Sequence, residues 1–168
     1  MGQEGVPRAC GEVVRADGNL CGMNIPFLDK WRKRHGPEHG MTPAEALDMD
    51  PEGIAELLSE CELLRAQAQS AGVTLDDSAA SLTALDQLQP RWREDPELLP
   101  WLGNDAGLYL GTVVVRTVPG AGWHLRPDGQ PVVLLGNGRE VDVVDAGQGW
   151  AADGAPELSQ LYAEIAES

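Results

Sequence analysis

The sequence predicts an α+β fold in which N-terminal helices pack on a small C-terminal antiparallel three-stranded meander, with a closing helix at the end of the chain. Two patterns support this fold class. Apolar residues recur at helical spacing in the N-terminal part of the chain, most clearly over residues 51–71. Further along, short apolar runs are separated by Pro127-Asp128-Gly129 and Asn137-Gly138, which are typical turn signals.

The best-specified helix is expected over residues 51–71. Asp50 can accept a hydrogen bond at the N-cap, Pro51 suits the first helical position, and Gly72 is a typical C-terminal stop. The apolar face of this helix carries Cys61, which we expect to be a buried thiol. Because the three cysteines cannot pair completely and none lies at metal-ligand spacing, all are expected to be reduced.

More helices are expected before the meander. Ser78 can cap a helix that ends before Pro90, and Pro100 argues for a break or a fresh start after a short helical run at residues 97–99. Residues 104–117 are ambiguous, because their valines suit a strand whereas their length and apolar stripe suit a buried helix. We favour the helix. Three glycines at a spacing of four would give it a smooth face for close packing: Gly103, Gly107 and Gly111.

The meander is expected to consist of strands at residues 122–126, 132–135 and 140–144. Asn137-Gly138 is the strongest hairpin signal in the chain, because both residues tolerate the positive φ of a type I′ turn. A short helix over residues 156–166 is expected to close the chain, since its apolar residues share one face.

Charge is distributed unevenly along the chain. The formal net charge is -15, and residues 41–168 contain six arginines, no lysine and 22 acids, a net -16. This charge opposes binding to nucleic acid and to anionic lipid, and it favours a basic protein as the partner. Residues 25–34, by contrast, form a basic and aromatic segment. We expect this segment to dock on the acidic body, with contact to a membrane surface or to nucleic acid as the alternative.

The chain is expected to divide into a leader and one domain. Residues 1–22 are rich in glycine and lack periodicity, so we expect them to be disordered. They are either a natural flexible leader or an extension created by a misplaced start codon before Met23. Residues 23–168 are expected to form a single acidic α+β domain. No apolar run reaches the roughly 20 residues that span a bilayer, and no secretory signal is found, so we expect a cytoplasmic location.

Three stretches carry a resemblance to a known family, at residues 75–107, 107–116 and 120–144. They read LDDSAASLTALDQLQPRWREDPELLPWLGNDAG, GLYLGTVVVR and GAGWHLRPDGQPVVLLGNGREVDVV. They resemble an uncharacterised actinobacterial family of conserved hypothetical proteins, and the resemblance covers roughly residues 23–168. It implies a helix at residues 104–117 and an α+β fold. It implies no activity, cofactor or catalytic residue.

No motif in the sequence identifies an active site, so we predict no catalytic residue, no metal and no cofactor. His35 and His39 have a spacing of four, but the glycine and proline between them oppose the helix that would bring them together. The glycine-rich stretches lack the order of a phosphate-binding loop. The enzyme hypothesis would require a pocket near the meander formed by Tyr109, His124, Arg139, Glu140 and Asp142.

The leading hypothesis is a non-enzymatic binding or regulatory module, as an inhibitor or immunity-type protein might be, whose acidic surface meets a basic protein. Trp92 is the best candidate for an exposed aromatic side chain, because arginine flanks it on both sides. The candidate binding surface consists of Trp31, Arg32, Lys33, Arg34, Arg91, Trp92 and Arg93. The sequence specifies neither the identity of the partner nor the oligomeric state.

Overall fold

The computed structural model describes Asp48 and residues 50–168. Helices α1 to α4 are Pro51–Leu58, Glu62–Ser70, Ala79–Trp92 and Leu99–Thr117. Strands β1 to β3 are Gly122–Leu125, Pro131–Leu134 and Glu140–Val141, and helices α5 and α6 are Val143–Asp153 and Leu158–Ala166. The predicted α+β fold, with a C-terminal antiparallel meander and a closing helix, is confirmed. The predicted domain boundary at residue 22 and the basic segment at residues 25–34 lie outside the described residues.

The first helical region consists of two helices, so the prediction of one helix over residues 51–71 is wrong. α1 and α2 are separated at Cys61, which has a left-handed conformation with φ of 42°. The Arg65 side chain donates to the carbonyl oxygens of Ser59 at 2.9 Å and Glu60 at 3.0 Å, and so satisfies acceptors at the break. Cys61 is buried, as expected, with 2% of its surface exposed. The apolar spacing continues across the break, which is why the sequence pattern does not reveal it.

Two predicted helix starts are confirmed by their caps. The Asp50 carboxylate accepts from the Gly53 N–H at 3.0 Å, and the Ser78 hydroxyl accepts from the Ser81 N–H at 3.4 Å. Gly72 follows α2 with φ of 87°, in the left-handed region where glycine is favoured at a helix end. Local backbone chemistry therefore sets these boundaries, and the sequence shows it directly.

Helix α3 continues to Trp92, although the sequence predicts its end before Pro90. Proline removes one backbone donor from the helix. Trp92 packs edge to face on Trp150 of α5, with ring centroids 6.3 Å apart, and only 7% of its surface is exposed. Burial of this large side chain offsets the missing hydrogen bond and holds the last turn of α3 in place.

Helix α4 is packed closely on α5 through glycines. The ambiguous segment is helical, as favoured, and the helix begins earlier than predicted, at Leu99 with Pro100 in its first turn. A Cβ atom added to Gly107 of α4, or to Gly147 of α5, would lie less than 3.0 Å from backbone atoms of the facing helix. The expected smooth face is therefore used for helix contact at Gly103 and Gly107.

The sheet has the strand order β1-β2-β3, and both pairings are antiparallel. β3 ends at Val141, so the prediction of a strand to residue 144 is wrong beyond that point. Asp142 accepts from the Asp145 N–H at 2.9 Å and caps α5, a helix that the sequence analysis does not predict. The valines that follow Asp142 suit a strand in sequence, but the cap and the burial of Val143 in the core favour the helix.

Helix α6 is held by a carboxylate from α3. Its N-cap residue, Glu157, makes no side-chain capping bond. Asp86 of α3 accepts instead from the N–H groups of Leu158 at 2.9 Å and Ser159 at 3.0 Å, and from the Ser159 hydroxyl at 2.6 Å. The same carboxylate accepts from the indole N–H of Trp150 at 2.9 Å. Asp86 therefore ties α3, α5 and α6 together.

Candidate functional site

A surface groove is formed by α1, the C-terminal part of α4 and the edge strand β1. Its larger part has a volume of about 480 Å³ and is lined by residues that include Asp48, Glu52, Ala55, Val115, Trp123 and His124. A second pocket of about 210 Å³ adds Glu56, Thr112 and Arg116. It shares four lining residues with the first: Glu52, Ala55, Val115 and Trp123. Because the two pockets share lining residues, we treat them as one feature, the α1–β1 groove.

The Trp123 indole forms an aromatic wall of the α1–β1 groove. The ring contacts α4 at Gly111, where an added Cβ atom would lie less than 3.0 Å from ring carbons. Glycine at this position therefore leaves the room that the ring occupies. Trp123 is half-buried, so one part of the ring is supported by the helix while another part is accessible from the groove. A tryptophan held in this way can contact an apolar chain or a cation.

Three exposed carboxylates give the groove a negative charge: Asp48, Glu52 and Glu56. Glu52 and Glu56 lie one turn apart on the same face of α1. Within the described part of the chain, none of the three carboxylates has a hydrogen-bond or ion-pair partner. Arg116 also lines the smaller pocket, but its guanidinium is paired with Asp77 at 2.9 Å. The groove therefore offers unpaired negative charge beside an aromatic ring.

Arg116 belongs to a network that fixes the connection between α2 and α3. Asp77 has φ of 62°, and its carboxylate pairs with Arg65 at 2.8 Å as well as with Arg116. The Asp77 N–H donates to the Tyr109 hydroxyl at 2.7 Å, and this hydroxyl lies 2.7 Å from the Ser81 hydroxyl. The Arg65 guanidinium also lies 5.2 Å from the centre of the Tyr109 ring.

The ionisation of this network suits a structural role. Burial raises the pKa of Tyr109, so its hydroxyl stays neutral at physiological pH. Burial lowers the pKa of Arg65, but the hydrogen bond and the charge of Asp77 outweigh that effect, and the pKa lies above its ordinary value. A general acid or base works best when its pKa is near the operating pH. The pKa values of Tyr109 and Arg65 are both shifted upwards, away from neutral pH.

The five groups named for the enzyme hypothesis are not brought together. Glu140 and Asp142 both pair with Arg126, at 2.7 and 2.8 Å, and the hydrogen bonds that Arg126 donates to Glu140 raise the pKa of Arg126. Tyr109 has the partners described above, and the Arg139 guanidinium donates to the hydroxyl of the C-terminal serine at 3.3 Å. His124 lines the α1–β1 groove. The pairing with Arg126 closes the β1–β2 hairpin onto the start of α5.

The predicted binding surface is only partly within the described residues. Trp31, Arg32, Lys33 and Arg34 lie outside them. Trp92 is buried, so the expectation of an exposed aromatic side chain there is wrong, because the ring packs on Trp150. Arg91 and Arg93 are exposed, and Arg93 donates to Gln89 at 3.1 Å. A binding role for these two arginines stays a prediction.

Apart from His124, which is named for the enzyme hypothesis, the groove residues are not identified as a site from the sequence. Glu52 and Glu56 do have a recognisable signal, because they lie at a spacing of four on the polar face of α1. Trp123 is an aromatic residue in a short strand, and such a residue is more often part of a core. Their proximity depends on how α1 packs on α4, and no local pattern shows that contact.

The described residues form neither a cluster of metal ligands nor a membrane-spanning helix. Within this part of the chain, no three His, Cys, Asp or Glu side chains are grouped so that they could hold a metal ion. None of the helices described here has the length and apolar character needed to cross a membrane.

A protein-family model matches most of the chain. The model of a family of unknown function, DUF6278, matches residues 23–168. Neither the curated proteins nor the solved structures contain a match to this chain. The resemblance to an uncharacterised family is thereby confirmed at the level of the domain. The chain belongs to the family of unknown function DUF6278.

Proposed function

We propose that this protein is a non-enzymatic binding module that holds a cationic segment of a partner protein in the α1–β1 groove, as an inhibitor or immunity-type protein would. The observation that carries the proposal is the combination of the Trp123 ring with the unpaired carboxylates of Asp48, Glu52 and Glu56 in one groove. Shape, aromatic surface and charge favour the same kind of ligand.

Lysine and arginine side chains suit both features of the groove. Their charge is attracted to the carboxylates, while their apolar stems and cationic groups can contact an indole ring. A cation–π contact contributes about 0.5–1 kcal/mol at an exposed site, and an exposed ion pair contributes about 0.2–1 kcal/mol. Because each contact is weak, a partner must present several cations to the groove to bind with appreciable affinity.

The charge of the whole protein supports the same kind of partner. A net charge of -15 attracts a cationic protein over a distance and raises the rate of encounter. Salt weakens this attraction, since the Debye length is about 8 Å at physiological ionic strength. Arg65, Arg116 and Arg126 are paired with carboxylates of the protein itself, so their charges are offset internally.

A titration with a defined cationic peptide tests the proposal. The probe is a short peptide in which arginine and threonine alternate, and its affinity is measured by calorimetry at low and at physiological salt. The variant Glu52→Gln/Glu56→Gln removes two groove charges while it keeps the size of both side chains. We expect it to weaken binding about tenfold, which corresponds to the loss of two or more weak contacts.

The matched control is Glu164→Gln/Glu167→Gln, which removes the same charge from exposed positions at the end of α6. We expect this control to bind the peptide almost as well as the native protein. If both double variants lose affinity equally, the peptide senses only the net charge, and the α1–β1 groove is not the binding site.

Other expectations from the sequence stay predictions. These are the actinobacterial origin, the cytoplasmic location, and binding to a membrane surface or nucleic acid through residues 25–34. The alternative of a small enzyme with a pocket near the meander also stays a prediction. Of the groups named for it, Glu140 and Asp142 both pair with Arg126, while Tyr109 and Arg139 bind other residues.

A further inference from the structure

We infer that the cationic segment binds as an added β-strand, paired antiparallel with the free edge of β1 and with its cations at alternate positions. This inference rests on the proposed function, because it describes how the same groove would hold the same class of ligand. It names the ligand more closely, as an extended segment of a partner protein.

In the part of the chain that the structure describes, strand β1 has a free edge, and this edge opens to the groove. β1 is the first strand in the order β1-β2-β3, and among the described residues it pairs only with β2. The groove is lined by Gly122, Trp123 and His124 of this strand, so a ligand in the groove lies against the unpaired edge. An exposed strand edge is a template for pairing with another extended chain.

The register shows which backbone groups of β1 are available. The Arg126 N–H donates to the Gln130 carbonyl at 3.0 Å, which makes these two residues a hydrogen-bonded pair at the hairpin end. Hydrogen-bonded pairs alternate in an antiparallel ladder, so the next one along β1 is His124 with Val132. Trp123 lies at the position in between. Its backbone N–H and C=O therefore point away from β2 and towards the free edge.

Trp123 offers both its N–H and its C=O to the free edge. In an antiparallel ladder, a residue of this kind forms two closely spaced hydrogen bonds with the residue opposite it. A ligand residue opposite Trp123 would exchange two hydrogen bonds with it, and its side chain would lie on the same face as the indole ring. Every second ligand side chain shares that face. Glu52 lines the groove together with Trp123, so cations at alternate positions meet both the ring and the carboxylates.

Backbone methylation separates strand addition from simple charge attraction. In the alternating peptide, the arginine amides would face β1 and the threonine amides would face away from it. We therefore compare two peptides for their affinity to the native protein. One is methylated at the backbone nitrogens of its arginine residues, and the other at the backbone nitrogens of its threonine residues. Both probes have the same charge and composition. We expect arginine methylation to weaken binding about tenfold or more, and threonine methylation to weaken it much less.

A second readout is hydrogen exchange at the Trp123 amide, which we expect to slow when the unmethylated peptide is bound. Equal affinity of the two methylated peptides, or unchanged exchange at Trp123, would overturn strand addition and would leave cation binding by the groove intact. If the unmethylated peptide does not bind the native protein, both strand addition and the proposed function are wrong.

Discussion

The carboxylate of Asp86 allows the sharpest prediction about stability. Replacement of Asp86 by alanine removes the acceptor of the Trp150 indole N–H. Trp150 is buried, with only 1% of its surface exposed. An unsatisfied buried donor costs about 1–3 kcal/mol. The substitution also removes the only side-chain cap described for α6, and a lost cap costs about 0.5–2 kcal/mol. We therefore expect Asp86→Ala to lower the free energy of unfolding by about 2–4 kcal/mol.

Urea denaturation followed by tryptophan fluorescence measures this loss, and thermal unfolding should show a midpoint lowered by roughly 5–15 °C. Asp86→Asn retains one acceptor oxygen, so it should lose less stability than Asp86→Ala. The matched control is Asp153→Ala in α5, which removes the same charge from an exposed side chain. A loss below about 0.5 kcal/mol for Asp86→Ala, the range of an ordinary surface substitution, would refute the role given to this carboxylate.

Two further predictions concern the core. Gly147→Ala should lower the free energy of unfolding by about 1–3 kcal/mol through overpacking against α4, although alanine normally gains about 1 kcal/mol over glycine in a helix. The control is Gly122→Ala, because a Cβ atom at position 122 would have no neighbour within 4 Å. If urea denaturation shows that Gly147→Ala stabilises the protein, the close contact between α4 and α5 is contradicted. Alkaline pH should also destabilise the protein, because burial raises the folded-state pKa of Tyr109 and stability is lost as the pH rises above the unfolded value near 10.0. Equal slopes of stability against pH for the native protein and Tyr109→Phe would show that Tyr109 does not cause the loss.

Much of the fold could be predicted from the sequence where local chemistry decides the structure. The Asp50 and Ser78 caps, the glycine at position 72 and the hairpin turn at Asn137-Gly138 all act within a few residues. The expected type I′ turn is wrong, because Gly138 has a positive φ of 89° whereas Asn137 does not have a positive φ. The break at Cys61 could not be predicted, because apolar residues continue at helical spacing on both sides of it. Its stabilisation by the Arg65 side chain depends on a bond back along the chain, which periodicity does not report.

Helix α5 was missed for a different reason. Val143 and Val144 extend the apolar run of β3, and β-branched residues favour strands when only local preference is considered. Gly147 and Gly149 also weaken the helical signal. The close contact with α4, where Gly147 lies against Gly103 and Gly107, requires glycine at position 147 and compensates for its low helix propensity. Gly149 lies instead against the backbone of Ala155.

Of the candidate groove, only its negative charge could be predicted from the sequence. The count of acids and arginines predicts a negative surface, but it does not say which carboxylates lack partners. Asp77, Glu140 and Asp142 are paired with arginines, whereas Glu52 and Glu56 are not paired with any described residue. That difference is decided by long-range packing, and so is the position of the Trp123 ring.

Chemical-shift mapping with the alternating arginine and threonine peptide tests the central claim most directly, because it reports where on the protein the ligand lies. We predict that the largest changes occur at the backbone amides of residues 51–56 and 121–125 and at the Trp123 indole N–H, with saturation at a single affinity. Changes spread evenly over the acidic surface, or centred on the exposed acids of α6, would contradict the assignment of the α1–β1 groove as the binding site.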